Sequence, residues 1–96
     1  MTGEASGTDV EEAALRQHYD VAIDLHGCRV DEALARLEQV LYRPKSQSIL
    51  VIHGRGSGAL KQAVRDFVRS NSYIREVHYG EDYNLPGVDG VTVIYT

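Results

Sequence analysis

The chain has 96 residues, 25% of them charged and 43% hydrophobic, which suits one small domain and leaves no room for two. Its single cysteine excludes an internal disulfide framework and any multi-cysteine zinc site, and no run approaches the ~18 apolar residues of a membrane span. The net charge of −4 argues at first against nucleic acid as a partner.

Residues 1–18 open small and polar (MTGEASGT) and continue with little apolar content beyond Val10, Ala13, Ala14 and Leu15, so they read as a flexible tag or linker. No basic stretch followed by an apolar core marks a secretory leader there, and a reducing, cytoplasmic setting is expected. The ordered domain is placed at residues 19–96. Val21, Ile23 and Leu25 alternate with Ala22 and Asp24, a strand closing at His26-Gly27. Val30, Ala33, Leu34, Leu37, Val40 and Leu41 then form one apolar stripe at helical spacing, with Asp31 and Glu32 at the positive end of the dipole and Pro44 as the stop. Ser48 to His53 is a second strand. Its uninterrupted Ile49-Leu50-Val51-Ile52 predicts a central position or cover on both faces. After His53-Gly54-Arg55-Gly56-Ser57-Gly58, the residues Leu60, Val64, Phe67 and Val68 define a second helix ending near Asn71. Ile74 to Tyr79 is a third strand, Gly80 to Gly90 a loop, and Val91 to Tyr95 a fourth strand.

The order βαβαββ, with right-handed crossovers, puts both helices on one face of a mixed sheet whose last strand is antiparallel. The expected fold class is therefore α/β, a two-layer sandwich. In such sheets ligands bind beyond the carboxyl ends of the parallel strands. This sequence places there Asp24 and His26 from one strand end and His53 with the glycine-rich turn from the next. Glycines permit positive φ and a close approach of phosphate to backbone, the following helix N-terminus favours an anion, and Arg55 can add a bidentate contact. The turn is neither a Walker A nor a dinucleotide fingerprint, since Gly54, Gly56 and Gly58 alternate and Ala59 stands where a third glycine belongs. A tight turn with no ligand is the alternative. Ser57 also reads as a helix N-cap.

Charge is unevenly spread. Residues 1–20 hold Glu4, Asp9, Glu11, Glu12 and Asp20 against Arg16, which leaves the rest of the chain neutral. Between 43 and 75, Arg43, Lys45, Arg55, Lys61, Arg65, Arg69 and Arg75 face Asp66 alone. Lys61, Arg65 and Arg69 recur every four residues, a ridge fit to track a phosphate backbone; a solvated helix face is the other reading. Asp24 can orient His26, or the two can hold a divalent metal such as Mg²⁺. His26 and His53 together suit general acid–base work on RNA, whose 2′-hydroxyl is a built-in nucleophile, whereas DNA hydrolysis calls for an activated water. His53 reads equally well as a hydrogen-bonded structural residue. Tyr79 and Tyr83 can stack on unpaired bases or cover the sheet end. Cys28 reads as half-buried packing, and His18 and His78 as incidental.

Ile23-Asp24-Leu25-His26-Gly27, Val30-Asp31-Glu32-Ala33-Leu34, His53-Gly54-Arg55-Gly56-Ser57-Gly58-Ala59-Leu60 and Gly90-Val91-Thr92-Val93 together resemble the Smr (small MutS-related) domain over about residues 20–96. Residues 57–65 are most similar to the version at the C-terminus of the bacterial MutS paralogue outside classical mismatch repair. The resemblance implies a sheet in the order 1-2-4-3, like the C-terminal domain of translation initiation factor three. It also implies a nucleic-acid-binding nicking endonuclease acting on DNA or RNA, as part of a larger protein in DNA recombination, repair or ribosome rescue. A non-catalytic nucleic-acid or ribosome docking module is the alternative. The implied site comprises Asp24, Leu25, His26 and Gly27 with His53, Gly54, Arg55 and Gly56. The expected catalytic set is Asp24, His26 and His53; the expected nucleic-acid contacts are Gly54, Arg55, Gly56, Ser57, Gly58, Lys61, Arg65 and Arg69, in a domain expected to be monomeric and free of membrane. Arg29 stands where a capping Thr or Ser is usual, and Pro86-Gly87-Val88-Asp89-Gly90 replaces a more glycine-rich segment.

Overall fold

The computed structural model describes residues 18–56 and 58–96. The reading of residues 1–18 as a linker therefore lies outside them, save His18, as does Ser57. Among the described residues four strands and two helices follow in the order β1 (Val21–Asp24), α1 (Val30–Leu41), β2 (Ser48–Ile52), α2 (Ala59–Arg69), β3 (Glu76–Tyr79) and β4 (Val91–Tyr95). The sheet order is β1-β2-β4-β3, as the resemblance implies. β1 pairs parallel with β2 (Val21 opposite Ile49), while β4 runs antiparallel to both β2 (Ser48 opposite Tyr95) and β3 (Glu76 opposite Tyr95).

The period-2 alternation of the strands sorts their side chains into two layers. Ile23, Ile49, Val51 and Ile94 face the helices and pack with Ala33, Leu37, Leu41, Val64 and Val68. Leu50, Ile52, Val91 and Val93 point to the opposite face and cluster with Tyr19, Leu85 and Tyr95. β2 is thus central and buried on both sides, as its unbroken apolar run predicts. Each fully buried Leu or Ile here contributes about 1.5–3 kcal/mol, so Leu37, Leu41, Ile49 and Leu50 anchor the fold.

α1 begins after Arg29, which makes no side-chain cap; Asp31 and Glu32 in the first turn offset this through the dipole. α2 begins after Gly58, whose φ of 89° is accessible to glycine at no cost. Both helices start at the carboxyl ends of the parallel strands, so the βα turns meet along one rim. Among the described residues no helix is long and apolar enough to cross a membrane.

Two boundaries depart from the sequence pattern. β3 starts at Glu76 rather than Ile74, because the Ile74 amide closes a turn on Asn71 O at 3.2 Å and only Arg75 N reaches Tyr95 O. The loop after β3 contains a 3-10 turn at Val88–Gly90. That turn crowds Gly80, where a Cβ would lie 1.9 Å from the Val88 carbonyl oxygen, so only glycine fits.

Candidate functional site

The rim is built from three turns. After β1, the Leu25 amide still bonds to Ile52 O at 2.7 Å, and the chain then reverses through Gly27 at φ 82°. The Asp24 carboxylate reaches forward to its own turn. It accepts the His26 amide at 3.1 Å and lies 3.3 Å from His26 Nδ1. The His26 side chain is 74% exposed. With the proton on Nδ1 shared toward Asp24, Nε2 is left as a base in open solvent. Arg36 braces the same turn through Asp24 O at 3.4 Å and Cys28 Sγ at 3.3 Å, so half-buried Cys28 is a packing and acceptor atom there.

After β2 the amides of His53 and Gly54 both donate to Gly90 O at 3.0 Å, which ties the glycine turn to the segment entering β4. Gly54 adopts φ 76°, and a Cβ on it would lie 3.4 Å from His26 Cβ. The two turns therefore lie side by side, and the positive φ is what calls for glycine at 54. His53 is 4% exposed. Its Nδ1 donates to Gly54 O at 2.9 Å, and its Nε2 accepts the Thr92 hydroxyl at 3.0 Å. Burial, aided by the charges of Arg65 and Lys61, pushes the ring below its ordinary value of 6.5 despite the Gly54 hydrogen bond. His53 is thus held neutral with both nitrogens occupied. Of its two sequence readings, the geometry is that of the structural residue that holds the turn.

Arg55, Lys61, Arg65 and Arg69 do lie along one side of the glycine turn and α2, but they are not bare. The loop after β3 brings carboxylates onto them. Asp89 takes Arg55 Nε at 2.7 Å and Lys61 Nζ at 3.2 Å. Glu81 takes Arg65 Nη2, while the Arg65 guanidinium lies 4.5 Å over the Tyr79 ring and its Nε is buried without a hydrogen-bond partner. Asp66 takes Arg69 at 3.3 Å. The hydrogen bond from Lys61 holds the Asp89 carboxyl below the usual carboxylate range, and that from Arg65 does the same for Glu81. Arg55, Lys61 and Arg65 are therefore matched by acids 16 to 34 residues away, which a count along the chain cannot see. The tyrosines expected to meet bases are also engaged: Tyr79 by Arg65, and Tyr83 by a stack on His78 at 4.1 Å.

A cleft of about 270 Å³ lies between the two helix N-termini, lined by Gly27, Arg29, Val30, Arg55, Gly56 and Gly58 among others. A wider one of about 690 Å³ opens beside Arg55, between Gly54 and the 84–88 loop. For a divalent metal the rim offers Asp24 and His26. Among the described residues no group of three or more His, Cys, Asp or Glu converges, so an ion there would take most of its ligands from water and phosphate. Asp89 and Thr92 are the rim residues that sequence reasoning missed. Thr92 had a signal: it is a polar residue on the inward side of an otherwise apolar strand, which calls for a buried partner.

Comparison with known proteins converges on one family. The Smr domain model matches residues 23–96. Endonuclease MutS2 of Lachnospira eligens is 39% identical over 75 residues, covering 75% of this chain and 9% of that protein. Endonuclease MutS2 of Bacillus thuringiensis is 36% identical over 80 residues, covering 80% and 10%. The chain thus spans about a tenth of the length of these relatives. The crystal structure of the Smr domain of Thermus thermophilus MutS2 superposes with a TM-score of 0.67 at 32% identity, covering 77% of this chain and 94% of that one.

Proposed function

This chain belongs to the Smr domain family, and on that premise we propose that it binds nucleic acid and nicks its phosphodiester backbone. The observation that carries this reading is the solvent-open Asp24–His26 pair pressed against Gly54, with Arg55 next in the chain. On RNA, Nε2 of His26 takes the 2′-hydroxyl proton as that oxygen attacks the adjacent phosphorus. The P–O5′ bond breaks, the leaving 5′-oxygen takes a proton from water, and a 2′,3′-cyclic phosphate remains. On DNA the same nitrogen takes the proton of a water whose oxygen attacks the phosphorus; one P–O ester bond breaks, and the leaving sugar oxygen takes a proton from solvent. Asp24 orients the imidazole and stabilises its charged form. The Arg55 side chain and the Arg55 and Gly56 amides, which are not given to Gly90 O, hold the phosphate oxygens. His53 acts through the turn that it ties down. The proposed setting is a cytoplasmic protein longer than this chain that works in DNA repair, recombination or ribosome rescue.

A second reading is a docking module that grips nucleic acid without cutting. The carboxylates seated on Arg55, Lys61 and Arg65 favour it, because they weaken the field available to a substrate. The test is a cleavage assay on supercoiled plasmid and on labelled structured RNA, each with and without EDTA, beside His26→Ala. Nicking by the parent protein that disappears in the variant, with binding kept, supports the enzyme. Equal cutting by the variant removes His26 from the mechanism. Salt-sensitive binding with no cutting of either substrate leaves the docking module, and the EDTA arm reads out any metal requirement.

A further inference from the structure

The seven bases between residues 43 and 75 divide into two groups by their partners. The four near the glycine turn and along α2 are each paired with a carboxylate. The other three, Arg43, Lys45 and Arg75, are exposed and have no carboxylate partner among the described residues. They lie at the opposite end of the sheet, beside the start of β2 and of β3. Arg75 N donates to Tyr95 O, and the next row of the same edge joins Thr96 N to Gln47 O. The carboxylates near in sequence are mostly engaged elsewhere. Asp20 accepts the Ser48 amide and hydroxyl, and Glu76 pairs with His78; Glu38, one helical turn before Tyr42, is exposed.

Next to Arg43 in the chain is Tyr42, at the C-cap of α1, and two residues before Arg75 is Tyr73, beyond the end of α2. They are 50% and 48% exposed, and their rings meet edge to face at 5.0 Å and 76°. One residue fixes both: Asn71 Nδ2 donates to Tyr42 Oη at 2.8 Å, and Asn71 Oδ1 accepts the Tyr73 amide at 2.9 Å. Large apolar rings on a surface ordinarily cost solubility, and here two of them stay accessible, packed edge to face, with the Tyr42 hydroxyl and the Tyr73 backbone tied to the same Asn71. A preset aromatic step with unpaired cations close along the chain is the chemistry that holds an unpaired base and the phosphates beside it.

We infer that this end of the helical layer binds a single-stranded flank of the nucleic acid, with a base against Tyr42 and Tyr73 and phosphates on Arg43, Lys45 and Arg75. The inference rests on the proposed nucleic-acid function and narrows its substrate to a structure with an unpaired segment beside the cut. The eleven residues of α2 span about 16 Å, so a strand leaving the rim passes Lys61, Arg65 and Arg69 and arrives at Tyr73.

The experiment is fluorescence anisotropy of the full chain with a blunt duplex and with the same duplex carrying a single-stranded overhang. The parent protein is expected to bind the overhang about tenfold more tightly. Tyr42→Ala with Tyr73→Ala should erase that preference and leave the blunt duplex bound as before. Tyr42→Phe with Tyr73→Phe, which keeps the rings, should retain it and also serves if the alanine variant fails a thermal-melt check. Replacing Arg43, Lys45 and Arg75 by Gln should make the salt slope on the overhang shallower by about two. If those cations serve only the helix C-termini, stability falls and the slope is unmoved, which overturns the inference. Equal affinity of the parent for both ligands, or a preference that survives the alanine variant, overturns it while the nucleic-acid reading stands. No binding to either ligand overturns both.

Discussion

His26 and His53 each follow a parallel strand at the same end of the sheet, yet the His26 side chain is 74% exposed and His53 is 4% exposed. The difference is one of position in the sheet. β1 is an edge strand, so its turn has a neighbour on one side only. β2 is central, and its turn is walled by His26 on one side and by Gly90 and Thr92 on the other. Identical chemistry thus becomes a solvent-open base in one turn and a neutral structural brace in the next. A residue's place in the strand order decides whether its chemistry is available.

The largest expected effect tests that division directly. His53→Ala strands the Gly54 carbonyl and the Thr92 hydroxyl and opens a cavity, for a loss of about 3 kcal/mol in urea denaturation. His26→Ala should change stability by less than about 0.5 kcal/mol. Comparable losses from the two would dissolve the comparison. A pH series sharpens it. The folded ring of His53 is harder to protonate than the unfolded one, whose value is 6.5. Stability is therefore full above that pH and falls below it, as the unfolded chain takes the proton first. His53→Ala should lose that part of the acid slope.

Electrostatics supply the next test. Asp89→Asn frees Arg55 and Lys61, so nucleic-acid affinity at low salt should rise about three- to tenfold, with a steeper dependence on salt. An unchanged slope would mean that the glycine turn contributes no phosphate contacts. The smallest effect concerns the entry to α1, where Arg29 makes no cap. Arg29→Ser should add about 0.5–1 kcal/mol, seen as a higher melting temperature, without altering the β2 turn.

The element order, the central place of β2 and the helix-bearing face were legible in the sequence because each rests on periodicity and crossover handedness. The start of β3 was not, because Ile74 has the hydrophobicity of a strand residue while its amide is used by the turn from Asn71. At the site, Asp24 and His26 were legible as a pair because they are two residues apart. The engagement of the α2 bases was hidden, since Glu81 and Asp89 reach them from beyond β3 through a loop whose path no local pattern encodes. Asp89 was visible only as a departure within Pro86–Gly90, and its part as the shared partner of Arg55 and Lys61 needed three dimensions.

The sheet order bears on how the chain acquires its shape. β4 is the last of these four strands to be synthesised, yet it sits between β2 and β3, which have no contact in the sheet without it. Until Val91–Tyr95 arrives, Leu50 and Ile52 lack the neighbours Val91 and Val93, and the glycine turn lacks the Gly90 carbonyl that receives both of its amides. Core and rim therefore close in a single late event across a long stretch of chain. That makes folding slower than local helix formation would suggest. It also means that a chain released before its final strand has neither a completed sheet nor an assembled site.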